Sequence, residues 1–101
     1  MNERQILSLL KTGQVAFRYP LRAHFQPGTG EFGVTVPKRH FKRAVKRNLL
    51  KRRVREAWRL NCSRLGEATP DIFIYYVGKE IADYERIEKS LLAILDDMVA
   101  Q

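Results

Sequence analysis

One cysteine among 101 residues, Cys62, has no partner within the chain, so no intrachain disulfide holds this protein together. That fits a reducing compartment. No stretch approaches the ~18 consecutive apolar residues that mark a membrane span. The first thirty residues also lack an apolar run followed by a small-residue cleavage site. The expected location is therefore the cytoplasm, with no membrane partner. Histidine is scarce too: His24 and His40 lie on different predicted elements, with no cysteine or carboxylate at metal-ligand spacing. A phosphate-cradling glycine loop is missing, and Asp96 and Asp97, adjacent on a predicted helix, point ~100° apart. A hydrolase acting alone would need a general base or a two-metal carboxylate site. No catalytic constellation is legible in the chain, and no cofactor bound by the protein alone is expected.

Acidic residues are missing from one place in particular. Residues 38 to 59, KRHFKRAVKRNLLKRRVREAWR, hold eleven of the nineteen Lys and Arg and one acid, Glu56. The window carries a formal +10 in a chain totalling +8, so the remainder is mildly acidic and the basicity is local. Projected as a helix, it places Leu50, Val54 and Ala57 on one stripe with Trp58 at its edge. Asn48, Lys51, Arg52, Arg55 and Arg59 fall on the opposite side. Like charges at i,i+4 repel by a few tenths of a kcal/mol per pair, a cost that an anionic ligand turns into attraction. Arginine pairs bidentately with phosphate, so a nucleic-acid backbone fits better than a merely solvated face. DNA is not the expected partner, because no helix-turn-helix pattern precedes the helix and nothing indicates a dimer. A structural RNA-binding protein of ribosomal type would need the same helix and stays open as an alternative.

Hydrophobic residues make up 45% and aromatics 10%, enough for one globular domain over residues 1–101. Ile6, Leu9 and Leu10 predict a short helix over 3–12, ended by Gly13. Alternation over Val15–Phe25 predicts a half-buried strand broken at Pro20, with Val15, Phe17, Tyr19, Leu21, Ala23 and Phe25 on the core side. Arg18, Arg22 and His24 fall outside, either simply solvated or, with Phe17 and Tyr19 close by, forming a second surface on which bases stack. The turn composition QPGTG at 26–30 predicts a hairpin whose second strand is Phe32–Val36. A loop spans residues 61–70, then Asp71–Val77 reads as a covered strand, parallel to Phe32–Val36 because a long helix separates them. Asp83 caps a final amphipathic helix with an acidic outer face. The reading is an α+β sandwich, αβββαβα, around a central sheet.

The run Phe41, Ala44, Val45, Arg47, Asn48, Leu50, Lys51, Arg52, Val54, Arg55 resembles the RNR motif of the bacterial ribonuclease P protein subunit, F-x-x-A-V-x-R-N-x-L-K-R-x-V-R. GVTVPKR and DIFIYYV resemble that family's strands on either side, while Leu10 stands where members often carry Phe. The resemblance implies a left-handed βαβ crossover, a fold shared with ribosomal and translation-factor domains. It also implies a catalytic RNA subunit, using bound Mg2+, that removes the 5′ leader of precursor tRNA with the protein's help. Carried onto this chain, it implies RNA contacts by Arg47, Asn48, Lys51, Arg52 and Arg55, with Lys38 and Arg39 at the mouth of the helix; Arg43, Lys46 and Arg59 are further RNA-binding candidates from the charge of the window itself. Phe17, Tyr19 and Arg22 are its candidates for holding the leader.

Overall fold

The computed structural model describes residues 1–66 and 69–100. The elements are α1 (Glu3–Thr12), β1 (Gln14–Arg18), β2 (Leu21–Gln26), β3 (Phe32–Thr35), α2 (Ala44–Asn61), a 3-10 turn (Cys62–Leu65), β4 (Asp71–Tyr76) and α3 (Tyr84–Val99). This is the expected αβββαβα order. The four strands form one sheet, β1-β2-β4-β3, antiparallel except for β3 beside β4. Part of the expected 61–70 loop is helical, since α2 runs to Asn61 and the 3-10 turn follows; Glu67 and Ala68 lie outside the described residues.

The QPGTG stretch does not close a hairpin, because β4 lies between β2 and β3. Ile72, Phe73, Ile74 and Tyr76 are all buried, so β4 takes a central position with a partner on each edge. Four-residue β3 is left at the margin. Residues 27–31 instead cross the start of β4, where the Asp71 carboxylate accepts from Thr29 N–H (3.0 Å) and Glu31 N–H (2.9 Å). Asp71→Ala removes both bonds, and urea unfolding is expected to report a loss of ~1–2 kcal/mol.

The tight hairpin is β1–β2, which turns at Tyr19 and Pro20 and pairs Arg18 with Leu21, Ala16 with Ala23 and Val15 with His24. In this register even-numbered residues of β1 face odd-numbered residues of β2, so the side-chain phase reverses at the turn. Ala16 therefore joins Leu21, Ala23 and Phe25 in the core. Val15 and Phe17, expected there, lie on the opposite face, 52% and 54% exposed, and Tyr19 at the turn is 50% exposed.

α2 and α3 pack against each other and cover the inner face of the sheet. Leu50, Val54 and Ala57 of α2 and Ile87, Leu91, Ile94 and Leu95 of α3 are wholly buried there. Trp58 stacks on Phe32 of edge strand β3, with ring centroids 5.1 Å apart and 11° between planes. The acids of α3 are partly spent on internal pairs, Asp97 with Arg18 (2.9 Å) and Asp96 with Arg64 (3.5 Å). α1 is too short to persist alone. An Asn2/Gln5 capping box starts it, and it packs on β2 and β4 through fully buried Leu9, outside the main core.

Candidate nucleic-acid interface

The basic window is not helical throughout. α2 begins at Ala44, so Lys38, Arg39 and Arg43 stand on the loop that enters it, and Arg43 occupies the N-cap position without a side-chain hydrogen bond. Within the helix the projected faces hold: Lys46, Asn48, Arg52, Arg55 and Arg59 are exposed and Lys51 is half-buried. Lys51 and Arg55 follow the flank that carries Trp58, which borders β3. Arg43 and Lys46 turn instead towards the segment after β4. There, with His40, Phe41, Lys42, Lys79, Glu80 and Ile81, they line an open cleft of about 430 Å³.

Three of the arginines are already engaged. Arg47 Nη1 donates to the carbonyls of Phe41 (2.8 Å) and Lys42 (2.7 Å), tying the entering loop to the helix. Arg53 Nη1 donates to the Ala82 carbonyl (2.6 Å). Arg59 pairs with Glu56 (2.5 Å), whose hydrogen bond and charge raise the arginine's pKa. Asn48, Arg52 and Arg55 remain exposed on the outer side.

A second surface lies on the face of the sheet opposite α2 and α3. Cross-strand pairing lines up Phe17, Arg22, Tyr75 and Thr35 in one row and Val15, His24, Phe73 and Gly33 in the next. The Arg22 guanidinium sits 4.9 Å from the centre of the Tyr75 ring, and Tyr75 meets Phe73 edge-on at 5.2 Å. Gly33 is required here, since a Cβ would come within 2.7 Å of the Phe73 ring. Phe17 and Arg22 are thus brought together as direct cross-strand neighbours. Tyr19 is not with them: it stands at the turn, with Arg86 of α3 5.7 Å from its ring and Ser90 donating to its carbonyl (2.9 Å). Sequence reasoning missed Tyr75 and Phe73. The signal was present, since both sit at the odd positions of DIFIYYV, facing away from Ile72, Ile74 and Tyr76.

His24 on this face is 8% exposed, and neither ring nitrogen has a partner within the described residues. Burial, and then the charge of Arg22, lowers its pKa. A base whose folded pKa lies below its unfolded one binds fewer protons when folded. Its stabilising contribution is therefore complete above the ordinary value of 6.5 and is lost as pH falls below it. Urea midpoints are expected to drop between pH 7.5 and 5, and His24→Phe is expected to flatten that dependence.

A sheet lined by two helices on one face, bearing an arginine-aromatic strip on the other and a polycationic helix along its edge, defines a small basic α+β protein of the kind that faces polyanions. The family model described as Ribonuclease P matches residues 1–99. The chain belongs to the ribonuclease P protein family. A curated relative, the ribonuclease P protein component of Porphyromonas gingivalis, is 33% identical over 99 residues, covering 86% of this chain and 72% of the relative. The Thermotoga maritima RNase P protein, solved with 1-(4-fluorophenyl)-2-thiourea, superposes with a TM-score of 0.80 at 26% identity, covering 91% of this chain and 92% of that one. The Staphylococcus aureus RNase P protein shares the fold, with a TM-score of 0.79 at 19% identity over 97% of this chain and 92% of that one. The family name carries a role in tRNA processing. Among the described residues no helix is long and apolar enough to cross a membrane, and no three His, Cys, Asp or Glu side chains cluster to hold a metal ion.

Proposed function

We propose that this chain is the protein subunit of a cytoplasmic ribonuclease P holoenzyme, in which a catalytic RNA with its own Mg2+ removes the 5′ leader of precursor tRNA. The observation that supports this best is the division of α2: a wholly buried stripe of Leu50, Val54 and Ala57 faces the core, while exposed Asn48, Arg52 and Arg55 face outward. The outer side, with Lys51 at its flank, Arg59 beside Glu56, and Lys38, Arg39, Arg43 and Lys46 around the helix start, receives phosphates of the RNA subunit. Arg47 serves first to hold the loop that carries Lys38 and Arg39.

The part of the sheet face opposite α2 and α3 that α1 leaves uncovered, around exposed Phe17, suits a single strand, since bases stack on exposed rings without sequence demands. Phe17 and Arg22, joined by Tyr75, take the leader; Tyr19 lies at its margin. The protein's positive charge screens repulsion between RNA subunit and substrate, which lowers the Mg2+ required. Neutralising about six phosphates gives a slope near −5 for log affinity against log salt.

Cleavage of a 5′-extended precursor tRNA by a bacterial ribonuclease P RNA at low Mg2+, with and without the protein, tests the proposal. A correct mature 5′ end that depends on the protein is the expected result. Salt-sensitive RNA binding without stimulation would make it a structural RNA-binding protein instead. Phe17→Ala combined with Tyr75→Ala is expected to weaken binding of leader-bearing substrate by about thirtyfold or more, at ~1–3 kcal/mol of stacking per base. A leaderless tRNA should bind unchanged.

A further inference from the structure

Lys79 sits on the segment joining β4 to α3, and a lysine on an exposed connection is ordinarily free to wander. Here the segment is anchored along its length. Val77 N–H donates to the Pro20 carbonyl at 2.8 Å. Gly78 is buried so closely that an added Cβ would meet Pro20 at 2.8 Å and the Tyr76 ring at 3.2 Å. The wholly buried Tyr76 turns its hydroxyl into the segment, donating to the Glu80 carbonyl (2.5 Å) and accepting from Ala82 N–H (3.0 Å). A further anchor comes from α2, where half-buried Arg53 donates to the Ala82 carbonyl at 2.6 Å. Arg53 stands at the one position of KRRVR that the RNR pattern leaves unspecified, in the most cationic stretch of the chain. Its charge points away from the outer RNA side and onto a backbone carbonyl. The anchored segment holds Lys79 across the 430 Å³ cleft from Lys42, Arg43 and Lys46, with Glu80 the only acid among the described residues that line it.

We propose that Arg53 is a positioning residue, which fixes Lys79 opposite the start of α2 so that the cleft between them grips an RNA phosphate. The inference rests on the reading that α2 faces RNA. A lysine carried on an anchored backbone adds more to binding than one on a mobile loop, because the backbone's ordering cost is met in folding. It also widens the RNA-facing surface from α2 alone to α2 plus the β4–α3 connection.

A double-mutant cycle in the affinity of the intact protein for a bacterial ribonuclease P RNA tests it. Lys79→Ala and Arg53→Met are each expected to weaken binding, by about fivefold and about threefold. In the Lys79→Ala background Arg53→Met should cost nothing further, whereas with Lys79 present Arg53→Lys should keep most of the affinity that Arg53→Met loses. Urea unfolding separates this from a purely structural role, since any stability loss from Arg53→Met should be the same in both backgrounds. Independent affinity losses, or a Lys79→Ala protein that binds like the parent, would overturn the inference. Arg52→Ala is the control: if it too leaves affinity unchanged, the reading of α2 as the RNA-facing helix fails, and this inference with it.

Discussion

Replacing Asn48, Arg52 and Arg55 together by alanine is expected to weaken binding to a ribonuclease P RNA about 100-fold while leaving the fold intact. All three side chains are exposed on the outer side of α2. A charge-assisted hydrogen bond to phosphate contributes roughly 1 kcal/mol or more net, and three such contacts give ~3 kcal/mol, which is about two decades in affinity. The two lost cations also reduce counterion release, so the salt slope should become shallower by about 2. Precursor cleavage should then demand more Mg2+, since the RNA must screen charge that the protein had neutralised. Unfolding free energy should stay within ~1 kcal/mol of the parent, because no buried contact is lost and some like-charge repulsion is relieved. A large stability loss would mean that these residues pack inward and that the helix faces are inverted.

Leu50→Ala should do the opposite. Leu50 is wholly buried between α3 and the sheet, in the same turns of helix as Asn48 and Arg52. A Leu→Ala cavity costs ~2–5 kcal/mol, against a total of ~5–15 kcal/mol for a domain. In a chain of 101 residues the urea midpoint should fall sharply, or cooperative unfolding should disappear at 37 °C. Under stabilising conditions, in the cold and without urea, the remaining folded protein should bind RNA with the parent's salt slope. The two variants together separate what α2 does for the core from what it does for its ligand, within a single helix.

Much of this was legible in the residues themselves. The 3.6-residue period of Leu50, Val54, Ala57 and Trp58 identified the inner side of α2, and the structure buries all four. The amphipathic run after Asp83 became α3, with Asp83 accepting from Arg86 N–H as its cap. Pro20 marked a real break. Pairing was not legible. Period-two alternation continued through Tyr19 and Pro20 as though nothing happened, yet the two-residue turn reversed its phase and moved Phe17 from the expected core to the open face. Because that face carries the arginine-aromatic strip, the error hid how Phe17, Arg22 and Tyr75 come together. The expected β2–β3 hairpin failed for a related reason: adjacency in sequence could not reveal that the largely buried strand β4 would claim the place between them.

What the sequence determined by itself is the set of local periodicities and the charge: which segments coil, which alternate, where cations gather and which stripe of α2 must be hidden from water. These follow from spacing along one chain, and the RNR run marked the family before any contact was known. The tertiary structure alone decided which strands are neighbours, which part of the sheet stays uncovered, and which arginines of α2 are tied to backbone carbonyls. Arg47, Arg53 and Arg59 look like their neighbours in a string of letters. Folding sets the carbonyls of Phe41, Lys42 and Ala82 within hydrogen-bond distance of the first two, whereas the Glu56 partner of Arg59 follows from i,i+3 spacing within α2. A guanidinium's availability depends on what surrounds it in space, and for Arg53 that partner lies 29 residues away along the chain.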